Sequence, residues 1–320
     1  MSKVPTRPSP AELLEKMQLI RSFEERSAAS FAEGRSPGTC TCVGQEASAV
    51  GVVSALREDD LILTNHRSAG HLLARGADPG RLMAEIMGRA TGYCGGKSGT
   101  LHVSAKELGV ILTSTIVGGE LSLAPGVALS VSMKGGEEIV TCFFGDGAAC
   151  EGIFHEALNL AAVWKLPVLF VCENNEWQAF VHRRETMLTE DIASRAAGYG
   201  IEGRTVDGND VEAVLAAASE AAAKVRATRM PFLLETKTYR LRGHFEPDDQ
   251  GYVDKAELAS WKARDPIAAL RAKLLESGTL TADAAAAIER RVAERLDAAF
   301  SFAADSPWPS LDELTTHVYA

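Results

Sequence analysis

The sequence contains no C-x-x-C pair, no long apolar run and no basic stripe, and each absence removes a class of protein. Its six cysteines stand at 40, 42, 94, 142, 150 and 172. Cys40 and Cys42 are two apart, closer than ordinary zinc-ligand spacing, which argues against a structural zinc site. Cys142 and Cys172 fall in the apolar stretches TCFF and LFVCE, where a free thiol behaves as a small hydrophobe. That usage predicts a reducing cytoplasm and no disulfide frame. No apolar stretch approaches the ~18 residues of a membrane span. The opening MSKVPTRPSPAE has no apolar core, so neither a membrane nor export is expected. Lys and Arg number 33 against 43 Asp and Glu, a net charge of −10. The compact basic runs, His182-Arg183-Arg184 and Arg290-Arg291, are short and flanked by acids. No nucleic acid is expected as a partner, because a phosphate-backbone binder needs a basic stripe.

What is present suits an α/β protein. A chain of 320 residues can bury a large core without staples. Ser9, Pro10 and Glu12 form a capping box with proline at the first helical position. Leu13, Leu14, Met17, Ile20 and Phe23 then recur at helical spacing. A polar, glycine-bearing loop over 34–44 leads to a small apolar helix over 46–56. A short strand over 60–64 ends in Asn65-His66-Arg67. The stretch 86–119 is glycine-rich without clear periodicity, which marks a functional loop. Beyond it the pattern predicts a buried helix over 121–133, a strand over 138–144, a helix over 149–164 and a strand over 167–172. Phe154 and Trp164 are expected as core contacts, and His155 and Glu151 as an i, i+4 helix pair. Asp207-Gly208-Asn209-Asp210 is a turn and N-cap before a helix over 211–226, and a further strand covers 231–238.

Apolar strands joined by crossover helices make a parallel sheet covered on both faces. The fold class is therefore α/β: a doubly wound, mostly parallel sheet with helices on both faces and a helical C-terminal extension. The expected division is an N-terminal helical arm (1–35), an α/β body (36–254) and the extension (255–320).

Three glycine-bearing segments compete as phosphate sites. Gly95-Gly96-Lys97-Ser98 looks like a P-loop, but residue 91 is Thr and no apolar strand precedes it, so it is rejected. Gly145-Asp146-Gly147 follows a strand, yet a dinucleotide fingerprint needs glycine where Cys150 stands. Glu173 at the next strand end keeps that reading open. The third reading joins Asp146 with Asn174-Asn175. Both groups fall at carboxyl ends of strands, where doubly wound sheets bind ligands. A bare carboxylate repels a diphosphate, whereas a divalent cation between them attracts both. Asp146 and an Asn oxygen suit Mg²⁺, and N–H groups from a helix start at Gly147-Ala148-Ala149 suit the phosphates. As a bland alternative, Gly-Asp-Gly is also ordinary turn chemistry. Glu120, a carboxylate among small apolar residues, is either a catalytic acid with a raised pKa or a helix cap. His71, His102, His155 and His182 are isolated and read as structural or surface residues.

GDGAACEGIFHEALNLAAVWKLPVLFVCENN resembles the thiamine-diphosphate motif. More narrowly, it resembles the alpha subunit of the decarboxylating component of 2-oxo acid and acetoin dehydrogenase complexes. GQEASAVG (44–51), GRATGY (88–93), NLAAVWKLP (159–167), VDGND (206–210) and TYRLRGHFE (238–246) fit it too, and the last is closest to acetoin-type members. The resemblance implies a thiamine-diphosphate-binding body and Mg²⁺ held by Asp146, Asn175 and the Trp177 carbonyl. Gly145, Gly147 and Ala148 would meet the diphosphate, as would Arg67, with His66 beside it. His244, on a loop over the cofactor, would reach the diphosphate and act in catalysis. Ile116 and Val117 would hold the aminopyrimidine through the backbone. The resemblance further implies a beta subunit in an α₂β₂ heterotetramer, a small-molecule 2-oxo acid or acyloin substrate, and a lipoyl-bearing acyltransferase as acceptor.

The sequence departs from that family at PGTCTCVGQEA, which lacks a His before GQEA, and at Ala69, where a His is usual. Glu120 stands where a small or amide residue is usual. These changes suggest an altered substrate or acceptor. A transketolase-like carboligase half-enzyme without a lipoyl acceptor is the alternative, and a non-catalytic partner-binding subunit is a third reading.

Overall fold

The structure is a computed structural model that describes residues 7–318. Residues 1–6, the start of the segment read for an export signal, lie outside the described residues. Among the described residues no helix is long and apolar enough to cross a membrane.

Helix α1 (Pro10–Ala32) starts where the capping box places it. The Ser9 hydroxyl accepts from the Glu12 N–H at 3.3 Å, and the Glu12 carboxylate accepts from the Ser9 N–H at 2.6 Å. Then follow α2 (Glu46–Ser54), β1 (Leu61–Asn65), α3 (Ala69–Ala74), α4 (Pro79–Ile86), β2 (Val110–Ser114), α5 (Gly119–Met133) and β3 (Val140–Gly145). Next come α6 (Gly152–Val163), β4 (Val168–Asn174), a small hairpin of β5 (Trp177–Gln178) and β6 (Val181–His182), then β7 (Glu202–Asp207), α7 (Val211–Thr228) and β8 (Phe232–Lys237). Three helices close the chain: α8 (Lys255–Lys262), α9 (Pro266–Glu276) and α10 (Ala282–Asp305).

Six strands form one wholly parallel sheet in the order β2-β1-β3-β4-β8-β7. The near-continuous apolar runs of β3 and β4 follow from burial on both faces. Side-chain alternation sends Phe143, Leu169 and Val171 to one core and Cys142, Phe144, Phe170 and Cys172 to the other. Each buried Phe contributes about 1.5–3 kcal/mol of transfer free energy. One core lies beneath α5 and α6; the other lies beneath α2 and α7, with α1, α3, α4, α9 and α10 packed further out. Gly51 lets α2 and α7 meet closely, since a Cβ there would sit 2.6 Å from a Val214 methyl.

The chain leaves β1 on one side for β2 and returns on its other side for β3. That reversal opens a crevice at the carboxyl ends of β1 and β3, the place where such sheets bind ligands.

Three expectations need correction. The helix predicted from residue 149 begins at Gly152; Ala148–Cys150 is a single 3₁₀ turn, and Glu151 is extended at φ −78°, ψ 148°. Glu151 therefore sits at the N-cap, outside the helix, and His155 bonds the Tyr199 hydroxyl instead of pairing with it. Trp164 is 54 % exposed, while Phe154 is fully buried. Two strands of the six-stranded sheet escaped the sequence pattern, as did the small hairpin of β5 and β6. β2 hides in the glycine-rich stretch, and β7 is an edge strand of mostly polar, exposed residues.

Candidate active site

A cavity of about 440 Å³ occupies the crevice, within the size range of cofactor sites. Its floor is the carboxyl edge of the sheet: Asn65, His66 and Arg67 after β1, Gly145 to Ala148 after β3, and Glu173 and Asn175 at the end of β4. Register sets this meeting, because Gly145 lies opposite Glu173. Trp177 and Gln178 of the hairpin, His244 from a later loop, and Ile116, Val117 and Glu120 around the start of α5 complete the wall. The residues that the resemblance assigns to the site thus lie on one cavity, whereas Asn174 and Ala149 do not line it, and the Asn174 amide donates to Glu235.

Asp146 is the decisive group. It is 1 % exposed, and neither of its carboxylate oxygens has a hydrogen-bond partner. Burial pushes its carboxyl up to about 7. An uncompensated buried carboxylate is costly, so one with both oxygens free marks a place for a cation or a proton. Asn175 stands beside it, its Oδ1 accepting from the Trp177 N–H and its amide donating to Gln45 Oε1, both at 3.1 Å. These bonds orient the Asn oxygen and leave it a second lone pair. One carboxylate and one amide oxygen side by side are the oxygen chemistry that suits a hard divalent ion such as Mg²⁺. Among the described residues no cluster of three or more His, Cys, Asp or Glu could hold a metal by itself. A cation here must complete its shell with carbonyls, water or ligand oxygens.

The opposite side is basic and fixed. Arg67 is buried, donating to the Thr41 carbonyl at 2.6 Å and to the His244 carbonyl at 2.8 Å. It thereby ties the end of β1 to the loop carrying His244. Burial, then the Arg67 charge, holds His66 down to about 3; burial and the Arg67 and Arg240 charges hold His244 at about 4. Both rings are neutral near pH 7 and so able to accept or donate one hydrogen bond each.

The loop over the cavity is braced by residues that sequence reasoning did not single out. Asp248 accepts from the His244 N–H at 2.5 Å and from the Tyr252 hydroxyl at 2.6 Å. Arg240, 1 % exposed, donates to the Tyr252 hydroxyl at 2.6 Å and to the Ala179 carbonyl at 2.8 Å. Cys40, Gln45, Glu173 and Gln178 also line the cavity. Behind it, Glu173 Oε1 meets Ser48 Oγ at 2.9 Å and His71 Nε2 at 3.1 Å, and His71 Nδ1 meets Thr64 Oγ1 at 2.7 Å. His71 is structural, as its isolation suggested. The 3₁₀ turn brings Gly147 and Ala148 to the cavity without a helix start. Ile116 bonds locally, its N–H to Ser114 Oγ and its carbonyl to the Gly119 N–H. Its side chain is 68 % exposed and that of Val117 53 %, an apolar lip on an open rim.

The rejected P-loop lookalike folds around a protein acid. The Glu85 carboxylate accepts from the N–H groups of Cys94, Gly96 and Ser98 at 2.7–2.9 Å, and Lys97 pairs with Glu313.

Comparison with known proteins shows the family. The profile of the dehydrogenase E1 component family matches residues 15–312, almost the whole chain. The chain belongs to the dehydrogenase E1 component family. The alpha subunit of acetoin:2,6-dichlorophenolindophenol oxidoreductase from Bacillus subtilis (strain 168) is 43 % identical over 309 residues, 96 % of this chain and 92 % of that one. The pyruvate dehydrogenase E1 component subunit alpha of Rhizobium meliloti (strain 1021) is 38 % identical over 304 residues, 94 % and 87 % of the two chains. The acetoin:2,6-dichlorophenolindophenol oxidoreductase alpha subunit of Cupriavidus necator is 39 % identical over 306 residues, 95 % and 92 %. This E1 component is an enzyme of the thiamine-diphosphate-dependent oxidoreductase class, as the sequence resemblance implied.

Proposed function

We propose that this chain is the diphosphate-binding half of a thiamine-diphosphate- and Mg²⁺-dependent enzyme that cleaves a 2-oxo acid or an acyloin. The orphaned, buried carboxylate of Asp146 on the cavity wall carries the reading. Asp146, Asn175 and the carbonyl of Trp177 would hold Mg²⁺. Arg67 offers a guanidinium fork suited to phosphate oxygens, and His66, Gly145, Gly147 and Ala148 line the same end. Val117 and Ile116 form the surface for the aminopyrimidine end. His244 is the catalytic residue of this reading: its neutral ring faces the cavity and is able to hold or pass one proton at the diphosphate end. Bound thiamine diphosphate supplies a nucleophilic ring carbon and an electron sink. The protein's part is to orient that group, neutralise its phosphates and exclude water.

The apolar lip at Ile116 and Val117 supports a second chain over the open rim, which we take as a beta subunit in an α₂β₂ heterotetramer. The proposed acceptor is a lipoyl group on an acyltransferase. The body, 36–254, holds the cofactor, with the described parts of the arm (7–35) and of the extension (255–318) as its outer layer. Six free cysteines suit a reducing cytoplasm.

Native mass spectrometry of the complex isolated from its host tests the assignment. The expected spectrum is a heterotetramer carrying thiamine diphosphate and Mg²⁺, with both lost in an Asp146→Asn complex. A complex that takes up no thiamine diphosphate in Mg²⁺-containing buffer overturns the reading. Product carbon passing to an aldehyde instead of to lipoamide overturns the acceptor and leaves a carboligase.

A further inference from the structure

Glu120 is a second buried acid on this cavity, and neither the metal nor the diphosphate end uses it. It lies in the first turn of α5 and is 1 % exposed. Its place is fixed by the turn before the helix. Gly118 has φ 75°, and a Cβ there would sit 2.6 Å from an Ile153 methyl. The helix therefore enters pressed against α6, with Glu120 on the cavity wall. Its Oε2 has no hydrogen-bond partner, and no ion pair involves it among the described residues. A contact with the backbone at the start of the helix therefore leaves this oxygen unused. The first turn of a helix favours a carboxylate, yet burial outweighs this and pushes the Glu120 carboxyl up to about 8.

The charged and titratable groups around the same cavity are few. Arg67 and His66 follow β1, Asp146 follows β3, and Glu173 ends β4. Cys150 and Glu151 precede α6, Cys142 lies on β3, and Cys40 and His244 come from loops. Arg67 is the one cation among them, held by the Thr41 and His244 carbonyls and assigned above to the diphosphate end. Three other acids, Asp146, Glu151 and Glu173, share the wall with Glu120. Asp146 would face Mg²⁺ in the reading above, and Glu173 is bonded to Ser48 and His71, so Glu120 is the buried acid left to meet a substrate that brings its own negative charge.

We infer that Glu120 is a specificity-determining residue that reads substrate charge, favouring a neutral α-hydroxyketone over the anion of a 2-oxo acid. This rests on the thiamine-diphosphate reading above. While protonated, the carboxyl group can donate to a carbonyl, hydroxyl or carboxylate oxygen, and it repels neither substrate class. Once ionised, it loses that donor and repels a carboxylate. The discrimination therefore opens as pH rises through about 8.

The test measures kcat/KM for pyruvate and for acetoin with the assembled complex, saturated with thiamine diphosphate and Mg²⁺, at pH 6.5 and pH 9. The ratio of the two constants cancels effects common to both substrates. For the native complex the pyruvate-to-acetoin ratio is expected to fall about tenfold between the two pH values, the scale of one partly screened like-charge contact. In the Glu120→Gln complex the ratio is expected to stay flat across that range and to match the native value at pH 6.5. A native ratio that does not change with pH overturns the inference without any variant. So does a Glu120→Gln complex that keeps the native fall. Failure of the underlying reading looks different: the native complex then binds no thiamine diphosphate and turns over neither substrate.

Discussion

Asp60 and Asp146 are both buried aspartates of the same sheet, at opposite edges. Asp60, just before β1, is fully buried, and both its oxygens are used. One accepts from the Ile139 N–H at 2.9 Å; the other accepts from the Arg57 N–H at 2.8 Å and from Arg226 at 2.7 Å. Asp146, just after β3, is as deeply buried and has no partner for either oxygen. The amino edge of the sheet is closed by satisfied polar groups that hold the fold. The carboxyl edge keeps an unsatisfied acid that the fold alone does not explain. The contrast separates a carboxylate that serves stability from one that serves a ligand.

Exchanging each acid for its amide sharpens the contrast most. Asp146→Asn is expected to lower Mg²⁺ and thiamine-diphosphate affinity by more than about a hundredfold, since even outer-shell partners of a metal matter 10–100-fold. Its unfolding midpoint without cofactor should hold or rise, because an orphaned charge is removed; calorimetric titration and thermal melts read the two effects. Asp60→Asn should do the reverse. It leaves Arg226 without its carboxylate and destabilises by on the order of 3 kcal/mol, with the activity of the folded fraction intact. Denaturant melts paired with active-site titration check this. A loss of cofactor affinity in Asp60→Asn matching that of Asp146→Asn would break the comparison.

Glu24 is an intermediate case. It is buried, and one oxygen accepts from the Cys42 N–H at 3.1 Å and lies 3.2 Å from its thiol. Burial pushes its carboxyl up to about 7 from 4.5. An acid whose folded pKa is raised binds its proton more tightly in the folded state. Its contribution to stability is therefore present below pH 4.5 and is lost as pH rises to about 7. Glu24→Gln should flatten the fall of stability across that window, measured by denaturant midpoints at several pH values. The smallest effect expected is from Tyr252→Phe, which removes two hydrogen bonds, to Asp248 and from Arg240, from the brace on the His244 loop. It should weaken thiamine-diphosphate affinity a few-fold, with stability changed by about 1–2 kcal/mol.

Much of this was legible in the sequence because the signals were local. The capping box at Ser9 and the apolar runs of β3 and β4 each depend on a few neighbouring residues. Asp146 and Asn175 could be joined on paper because consecutive parallel strands bring their ends to one edge. The brace of Arg240, Asp248 and Tyr252 was not legible, since it depends on how a loop folds back on itself. Nor was β7, whose polar residues carry no alternation at an exposed edge. The 3₁₀ turn at Ala148 was read as helix because its composition is helical; what ends it is the extended backbone of Glu151, which periodicity does not reveal.

The packing of α10 on α1 has a consequence for the making of the protein. Phe23 in the first helix stacks edge-on against Phe300 in the last, with ring centroids 5.8 Å apart. At roughly 5–20 residues per second, a ribosome needs about 15–55 seconds to travel between them. For that interval the apolar stripe of α1 lacks its final cover. Synthesis must therefore pass α10 before the outer layer can close over α1.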